Sequence, residues 1–369
     1  MFNLRKKAFK RFDFLLLITV VLLSIYGLVI IYSATLSLDN IRFVRTQGIA
    51  TMIGFLAILF LVFFDFQFLG KLYIPIYIVS IALLLAVLFM GVGEDQWGAR
   101  SWLYIGSFGF QPAEFVKVGL IISLAKYMDN NKDEINSPFV LLKILIFAFF
   151  PVGLILLQPD AGTAMVFIFF IAAMLFVAGV KWKYIGIALA MGLMSLPVLW
   201  SRLDTFQKDR ILNFMDPERD TSNTGYQAIQ GRIAIGSGKI FGRGLFEGTQ
   251  TQFNYIPEKQ TDFIFAVLAE ELGFIGGSLL ILLYFIMINR IIRIARNSPD
   301  KFGSFMSVGL AAMFLFHIWE NIGMTIGLMP ITGIPLPFMS YGGTFQLINL
   351  ISIGIVLSVG LHREGLSFE

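Results

Sequence analysis

The chain is organised as long apolar runs broken by short polar or Gly/Pro-rich stretches. The runs fall at about 14–34, 47–64, 72–91, 112–128, 139–157, 162–180, 184–200, 263–292, 303–328 and 344–361. A membrane-spanning helix needs roughly 20 mostly apolar residues, and these runs are that long. Lipid offers no water to open backbone groups, so runs of this length predict helices. A transmembrane barrel would instead show ~10-residue segments of alternating hydrophobicity. The pattern predicts an all-α polytopic membrane protein of ten transmembrane helices in one domain, 1–369. The run from Phe14 to Tyr32 carries no charge, follows Arg5, Lys6, Lys7, Lys10 and Arg11, and lacks a small-residue cleavage site. It reads as an uncleaved first span.

Composition agrees with that reading. The chain is 57% hydrophobic and 14% charged, against roughly 25% charged in a soluble domain, and its mean hydropathy is +0.79. Absent cysteine excludes disulfides and thiolate metal sites. A net charge of +4 is too small to point to nucleic acid, and two distant histidines, His317 and His362, argue against a His-rich metal site. Basic residues set the orientation. With the N-terminus in the cytoplasm, the inner segments carry most of the loop bases, including Lys71, Lys132, Lys181, Lys183, Arg293, Arg296, Lys301 and Arg363. Outer segment 92–111 holds only Arg100 and 158–161 holds none, while Arg42 and Arg45 form a local exception. Ten spans then place both termini in the cytoplasm.

Two stretches break the rhythm of spans. Segment 201–262, between the seventh and eighth runs, is a large extracytoplasmic loop in which eight bases balance eight acids. Loops of that length are usually functional. Within it, "GYQAIQGRIAIGSG" has weak helical periodicity, with Tyr226, Ile229 and Ile233 on one side, suited to lying flat on a membrane surface. Glycine-interrupted stretches follow at 236–238, 242–244 and 248. The second stretch is 328–345, "LMPITGIPLPFMSYGGTF", where prolines and glycines forbid a regular helix. Its apolar side chains predict a re-entrant or lid-like element on the outer face, buried in protein.

Acids gather on that same face. In "EKQTDFIFAVLAEELGF", Asp262 stands where the loop meets the eighth run. A continuous helix would put Glu270 ~12 Å further along and about 80° round, on roughly the same side, with Glu271 opposite. The plain structural reading makes Thr261 or Asp262 a helix N-cap; the alternative gives Asp262 chemistry. Asp160 in "LLQPDAG" also suits an N-cap. Trp97 and Trp102 flank Arg100 as an aromatic belt would. Glu114 and Lys117 are spaced to neutralise each other on one helix face, and ionisable residues inside a span are functional candidates by default. His317 and Glu320 share a face and read as a buried structural pair. Together Arg100, Glu114, Asp160 and Asp262 suggest a polar cavity open to the outer interface, suited to a lipid with an anionic headgroup.

Four stretches in order, "GARSWLYIGSFGFQPAEFVKVGLI", "LLQPDAGTAMV", "EGTQTQFNYIPEKQTDFIFAVLAEELGFIG" and "GLMPITGIPLPFMSYGGT", resemble the SEDS family (shape, elongation, division and sporulation). "YIPEKQTDFIFAVLAEELG" is more similar to the RodA group than to the FtsW group. The resemblance implies a peptidoglycan glycosyltransferase of the bacterial cytoplasmic membrane, with its active site on the extracytoplasmic side. It would polymerise lipid II with inversion, undecaprenyl pyrophosphate leaving, during cell-wall elongation. The family's catalytic aspartate falls on Asp262, as general base. Its cavity residues fall on Arg100, Trp102, Glu114, Lys117 and Asp160, and Glu270 is the better placed of the two glutamates to face the cavity. The resemblance also implies a divalent cation, for which no motif here defines ligands, and a class B penicillin-binding transpeptidase as partner. Phe345 and Gln346 depart from the small or aliphatic residues usual in the family. The rival readings are a lipid II flippase and a scaffold for the transpeptidase. Transporters bind near the bilayer midplane, whereas these acids cluster on one side.

Overall fold

The computed structural model describes residues 12–362 apart from 39, 94–98, 107, 204 and 221–223. The N-terminal bases Arg5 to Arg11, Trp97 and Arg363 lie outside the described residues. Each of the ten apolar runs falls on a helix: α1 (Phe14–Leu36), α2 (Arg42–Phe63), α4 (Tyr73–Met90), α5 (Pro112–Asn130), α6 (Pro138–Leu156), α7 (Ala161–Val177), α8 (Trp182–Arg202), α12 (Ile264–Arg296), α13 (Lys301–Thr325) and α14 (Gly343–Leu361). Between them lie the shorter α3 (Gln67–Lys71), α9 (Thr205–Met215), α10 (Thr224–Gly238) and α11 (Thr249–Gln252), and a hairpin of β1 (Leu103–Ile105) and β2 (Phe108–Phe110).

Seven of these helices, α1, α2, α4, α6, α12, α13 and α14, are long and apolar enough to cross a membrane, and α7 is apolar but shorter. The ten runs and the seven helices differ partly because of α5. That helix carries Glu114, Lys117, Lys126 and Asp129, yet Val116, Leu120, Ile121 and Leu124 on it are buried. Its Glu114–Lys117 pair is buried inside protein and its Lys126–Asp129 pair is only partly exposed, so hydropathy under-reports it. The core joins α5, α7, α12, α13 and α14 through Leu124, Phe170, Leu268, Phe314 and Ile353. By contrast α8 stands off the bundle, with Leu189, Leu193 and Met194 exposed.

Residues 328–340 enter the core without regular structure. Leu336, Phe338 and Met339 are buried, and the segment passes so close to α1 that a Cβ on Gly27 would stand 2.0 Å from the Phe338 carbonyl oxygen. Its polar backbone is met by side chains: Tyr284 donates to the Pro337 carbonyl at 2.5 Å, and Gln47 donates to Ser340 O and accepts from Gly342 N. Irregular backbone at this depth survives because protein donors replace water.

The start of α12 is also irregular. Gly273 has φ +61°, outside helical geometry. Around it the chain pairs with the glycine-rich loop. Arg243 N and Gly244 N donate to the carbonyls of Glu270 and Glu271, and Phe274 N and Ile275 N donate to those of Lys239 and Ile240. A Cβ on Gly242 would meet the Glu271 carbonyl oxygen at 2.0 Å, so the loop glycine is what lets the two backbones touch. The same need for close approach corrects the expectation for α10. Its inward face is Gly231, Ala234 and Gly238, whereas Ile233 is exposed. α10 packs on α12 through small residues rather than lying flat on an isoleucine face.

Candidate active site

The re-entrant segment is the spine of the site, and successive residues along it collect the polar side chains. Arg210 of α9 donates Nη1 to the Thr332 carbonyl at 3.1 Å. The Thr332 hydroxyl donates to Glu320 Oε1 of α13 at 2.8 Å. The same Thr332 carbonyl lies 3.1 Å from where a Cβ on Gly162 would stand, which brings the start of α7 to this point. Gly333 has φ +77°, and a Cβ there would be 3.3 Å from Asp262 Oδ2, so the Asp262 carboxylate rests against its backbone. Asn321 donates to Ile334 O at 2.8 Å, and His317 Nδ1 lies 3.0 Å from Pro335 O.

Asp262 is held by its backbone. Three consecutive carbonyls are anchored: Gln260 O accepts from Tyr341 N at 2.8 Å, Thr261 O from Ser340 Oγ at 2.6 Å, and Asp262 O from Asn321 Nδ2 at 2.9 Å. Among the described residues no hydrogen bond reaches its carboxylate. Neither Thr261 nor Asp262 caps the helix, because the residue at the N-cap of α12 is Phe263 and it makes no side-chain cap bond. Burial pushes the Asp262 carboxyl up to about 7, the nearby Glu258 charge adds to the rise, and Arg210 opposes it. Arg210, itself lowered by burial, feels both Asp262 and Asp160.

Asp160 takes the plain structural role, accepting from Thr163 N at 2.9 Å as the N-cap of α7. Arg100 comes near it through the backbone, donating N–H to Gln158 O at 3.2 Å. Trp102 bridges Val92 beside that loop. Glu114 and Lys117 form the ion pair expected of them, at 2.9 Å, and both are buried. The structure adds a third member. Lys117 Nζ lies 2.9 Å from His317 Nε2, so Nε2 accepts and the proton sits on Nδ1, facing Pro335 O. Phe345 covers this group, with its ring 5.6 Å from Lys117 Nζ and 5.2 Å from the His317 ring. The expected His317–Glu320 pair does not form: each reaches a different residue of the spine.

Glu270 lies elsewhere. It is fully buried and accepts from Gln250 N at 2.7 Å, Thr251 N at 3.0 Å and Thr251 Oγ1 at 2.7 Å. It caps α11 and does not join Asp262. The estimate of a shared side assumed a helix running through Asp262, but α12 begins at Ile264. Glu271 accepts from Ser33 Oγ. Lys259 donates to Ser37 Oγ, Thr251 O and Asn254 Oδ1 at 2.6–2.7 Å, and burial lowers it to about 8.

Sequence reasoning missed Arg210, because the balanced charge of 201–262 gave no local excess to mark it. For the implied divalent cation the residues do not form a cage: no three His, Asp or Glu side chains converge among the described residues. Asp160 and Asp262 face a cation of the chain itself, Arg210.

Comparison with known proteins agrees with this architecture. The probable peptidoglycan glycosyltransferase FtsW of Trichlorobacter lovleyi is 36% identical over 97% of this chain and 96% of its own length. A chain from a peptidoglycan synthase complex described as coordinating polymerization and crosslinking superposes with a TM-score of 0.83 at 31% identity, covering 96% of this chain and 99% of that one. The rod shape determining protein RodA of Thermus thermophilus gives a TM-score of 0.72 at 30% identity, covering 95% and 97%. The cell cycle protein family FtsW/RodA/SpoVE matches residues 13–365, and the chain belongs to that family.

Proposed function

We propose that this protein is a peptidoglycan glycosyltransferase that polymerises lipid II on the outer face of the bacterial cytoplasmic membrane. Ten spans, both termini in the cytoplasm, and residues 201–262 and 328–345 facing outward complete that arrangement. The observation that carries the chemistry is Asp262: a carboxylate on an anchored backbone, free of hydrogen-bond donors among the described residues, with a pKa of about 7. A general base works best when its pKa lies near the operating pH. Asp262 takes the proton of the acceptor GlcNAc 4-hydroxyl. That oxygen bonds to C1 of the donor MurNAc with inversion, the bond from C1 to the diphosphate oxygen breaks, and undecaprenyl pyrophosphate leaves as the anion. Protein groups supply the surrounding charge, with Arg210 beside the base, Asp160 shaping the α7 end, and Arg100 and Trp102 on the adjoining loop. The Glu114–Lys117–His317 group braces Pro335, two residues along the spine from Gly333. A class B penicillin-binding transpeptidase is the partner this reading implies, and elongation the process.

The test is lipid II polymerisation by the purified protein with its transpeptidase, set against Asp262→Asn, with and without chelator. Glycan strands from wild type and none from the variant are expected. Full polymerisation by Asp262→Asn overturns the base assignment, and headgroup movement across liposomes without bond formation would establish the flippase instead.

A further inference from the structure

A cleft of about 400 Å³ opens at the end of α13 that lies away from Asp262. Asn321, which holds the Asp262 carbonyl, is ~30 Å of helix rise from Lys301 at the cleft. The end of α12 supplies Arg296, the turn into α13 supplies Ser298 and Asp300, the start of α13 supplies Lys301 and Ser304, and the turn after α5 supplies Lys132. The acids nearby do not neutralise these bases. Arg296 and Lys301 make no ion pair and no side-chain hydrogen bond among the described residues. The Asp300 carboxylate caps α13, accepting from Gly303 N at 2.8 Å, and accepts also from Gln67 Nε2. Asp129 pairs with Lys126 at 2.8 Å and reaches Lys132 only at 3.9 Å.

A bias of bases toward the cytoplasmic side requires them near the membrane edge, but it does not require them to surround a cleft. Lys181 and Lys183 satisfy that bias from exposed positions at the start of α8. Helix electrostatics accounts for Arg296, which complements the carbonyl end of α12, but not for Lys301. Lys301 is the first residue of α13, where the macrodipole disfavours a cation. An anion in the cleft removes that conflict, because Lys301 and Arg296 then attract it together. Size and depth narrow the choice of anion. Small-molecule sites run to about 300–1,000 Å³, so this cleft takes a phosphodiester with its glycerol. It lies just beyond the ends of the apolar runs 263–292 and 303–328, at headgroup depth. Basic pockets between spanning helices on the cytoplasmic side hold anionic lipid headgroups. We propose that Lys132, Arg296 and Lys301 bind the phosphate of an anionic phospholipid of the inner leaflet, at a site separate from the one that carries glycosyl transfer. The choice of leaflet rests on the orientation proposed above; the binding chemistry does not.

Native mass spectrometry of the purified full-length protein in non-ionic detergent tests it by reading the affinity for added lipid. The probes are dioleoylphosphatidylglycerol, dioleoylphosphatidylcholine, which carries a phosphate without net charge, and glycerol 3-phosphate, which has no tail. Phosphatidylglycerol is expected to bind more tightly than phosphatidylcholine. The Arg296→Gln, Lys301→Gln double variant is expected to weaken phosphatidylglycerol binding by roughly tenfold or more, the scale of a lost charge-assisted bond. Both side chains are exposed, so the melting temperature without lipid should stay at the wild-type value. Lys183→Gln, which removes a base outside the cleft, leaves affinity unchanged. Ser304→Phe fills the cleft with its bases intact and should also weaken binding; should it melt early, the charge variant decides alone. Equal affinity for the two phospholipids overturns the proposal, as does undiminished binding in the double variant or in a folded Ser304→Phe. Glycerol 3-phosphate binding as tightly as phosphatidylglycerol overturns the lipid assignment. The leaflet is read separately with Lys301→Cys, since the chain has no other cysteine. Labelling by a membrane-impermeant maleimide is expected in inverted vesicles and not in intact spheroplasts. Labelling in intact spheroplasts overturns the orientation and the inner-leaflet assignment, whatever the lipid affinity.

Discussion

Asp262 and Glu270 are acids from one stretch of chain, both close to the start of α12, and they are held in opposite ways. Glu270 is bound through its carboxylate, which receives two backbone amides and the Thr251 hydroxyl at 2.7–3.0 Å. Asp262 is bound through its backbone, with carbonyls 260, 261 and 262 all anchored. A carboxylate that receives three donors holds chain in place. A carboxylate against a glycine and near one arginine, without donors, can take a proton and release it. Both lie at the start of α12, but only Asp262 has a carboxylate that no donor among the described residues holds.

The largest effect expected from breaking this contrast is Asp262→Asn, with polymerisation reduced about 10²- to 10⁴-fold, the usual contribution of a general base. Thermal unfolding should stay cooperative, since the anchoring bonds come from backbone. Glu270→Gln should do the reverse. Hydrogen bonds to a buried charge contribute about 1.5–3 kcal/mol each, so its melting temperature should fall clearly in a detergent thermal-shift assay. Its residual activity below the transition should keep the wild-type pH profile; a shifted profile would place Glu270 with Asp262 after all. Gly273→Ala is expected to cost about 1–3 kcal/mol from a backbone conformation open essentially only to glycine, with further loss because a Cβ there would stand 2.3 Å from Gly242 N.

The finest test is pH. As the proposed general base Asp262 would act only when ionised, and burial raises its pKa to about 7. Activity therefore falls as pH drops through about 7 and levels off above it. The Glu258 charge raises that pKa and Arg210 lowers it. Glu258→Gln should move the acid limb to lower pH and Arg210→Gln to higher pH, each by up to about one unit. Profiles of kcat/KM over pH 5–9 read both signs, and an unmoved limb in both variants would show that another group sets it.

Much of this was legible in the chain. The apolar runs located the helices because lipid and core both select for them, and the Glu114–Lys117 spacing announced its pair because helical neighbours are local. What escaped was set by distant residues. The partner of Lys117 is His317, 200 positions away, and no periodicity links them. Arg210 is one base among balanced charges until Thr332 and Asp262 meet it. The glycines of 236–248 looked like punctuation, yet Gly238, Gly242 and Gly248 are contact surfaces on α12. Phe345 and Gln346, unusual for the family, have local reasons: Phe345 covers Lys117 and His317, and Gln346 donates to Thr51 at 3.1 Å.

The pairing of 239–244 with 270–275 also limits how the chain can vary in length. Its four backbone hydrogen bonds close residues 245–269 into a ring, and Asp262 is carried on that ring. Adding or removing a residue inside it must either slip the pairing at Gly273 or push Asp262 away from Gly333. A residue inserted in the exposed turn around Pro217–Arg219 meets neither constraint. Insertions should therefore be tolerated at that exposed turn and rejected within 245–269, a contrast that a scan of single-residue insertions would read.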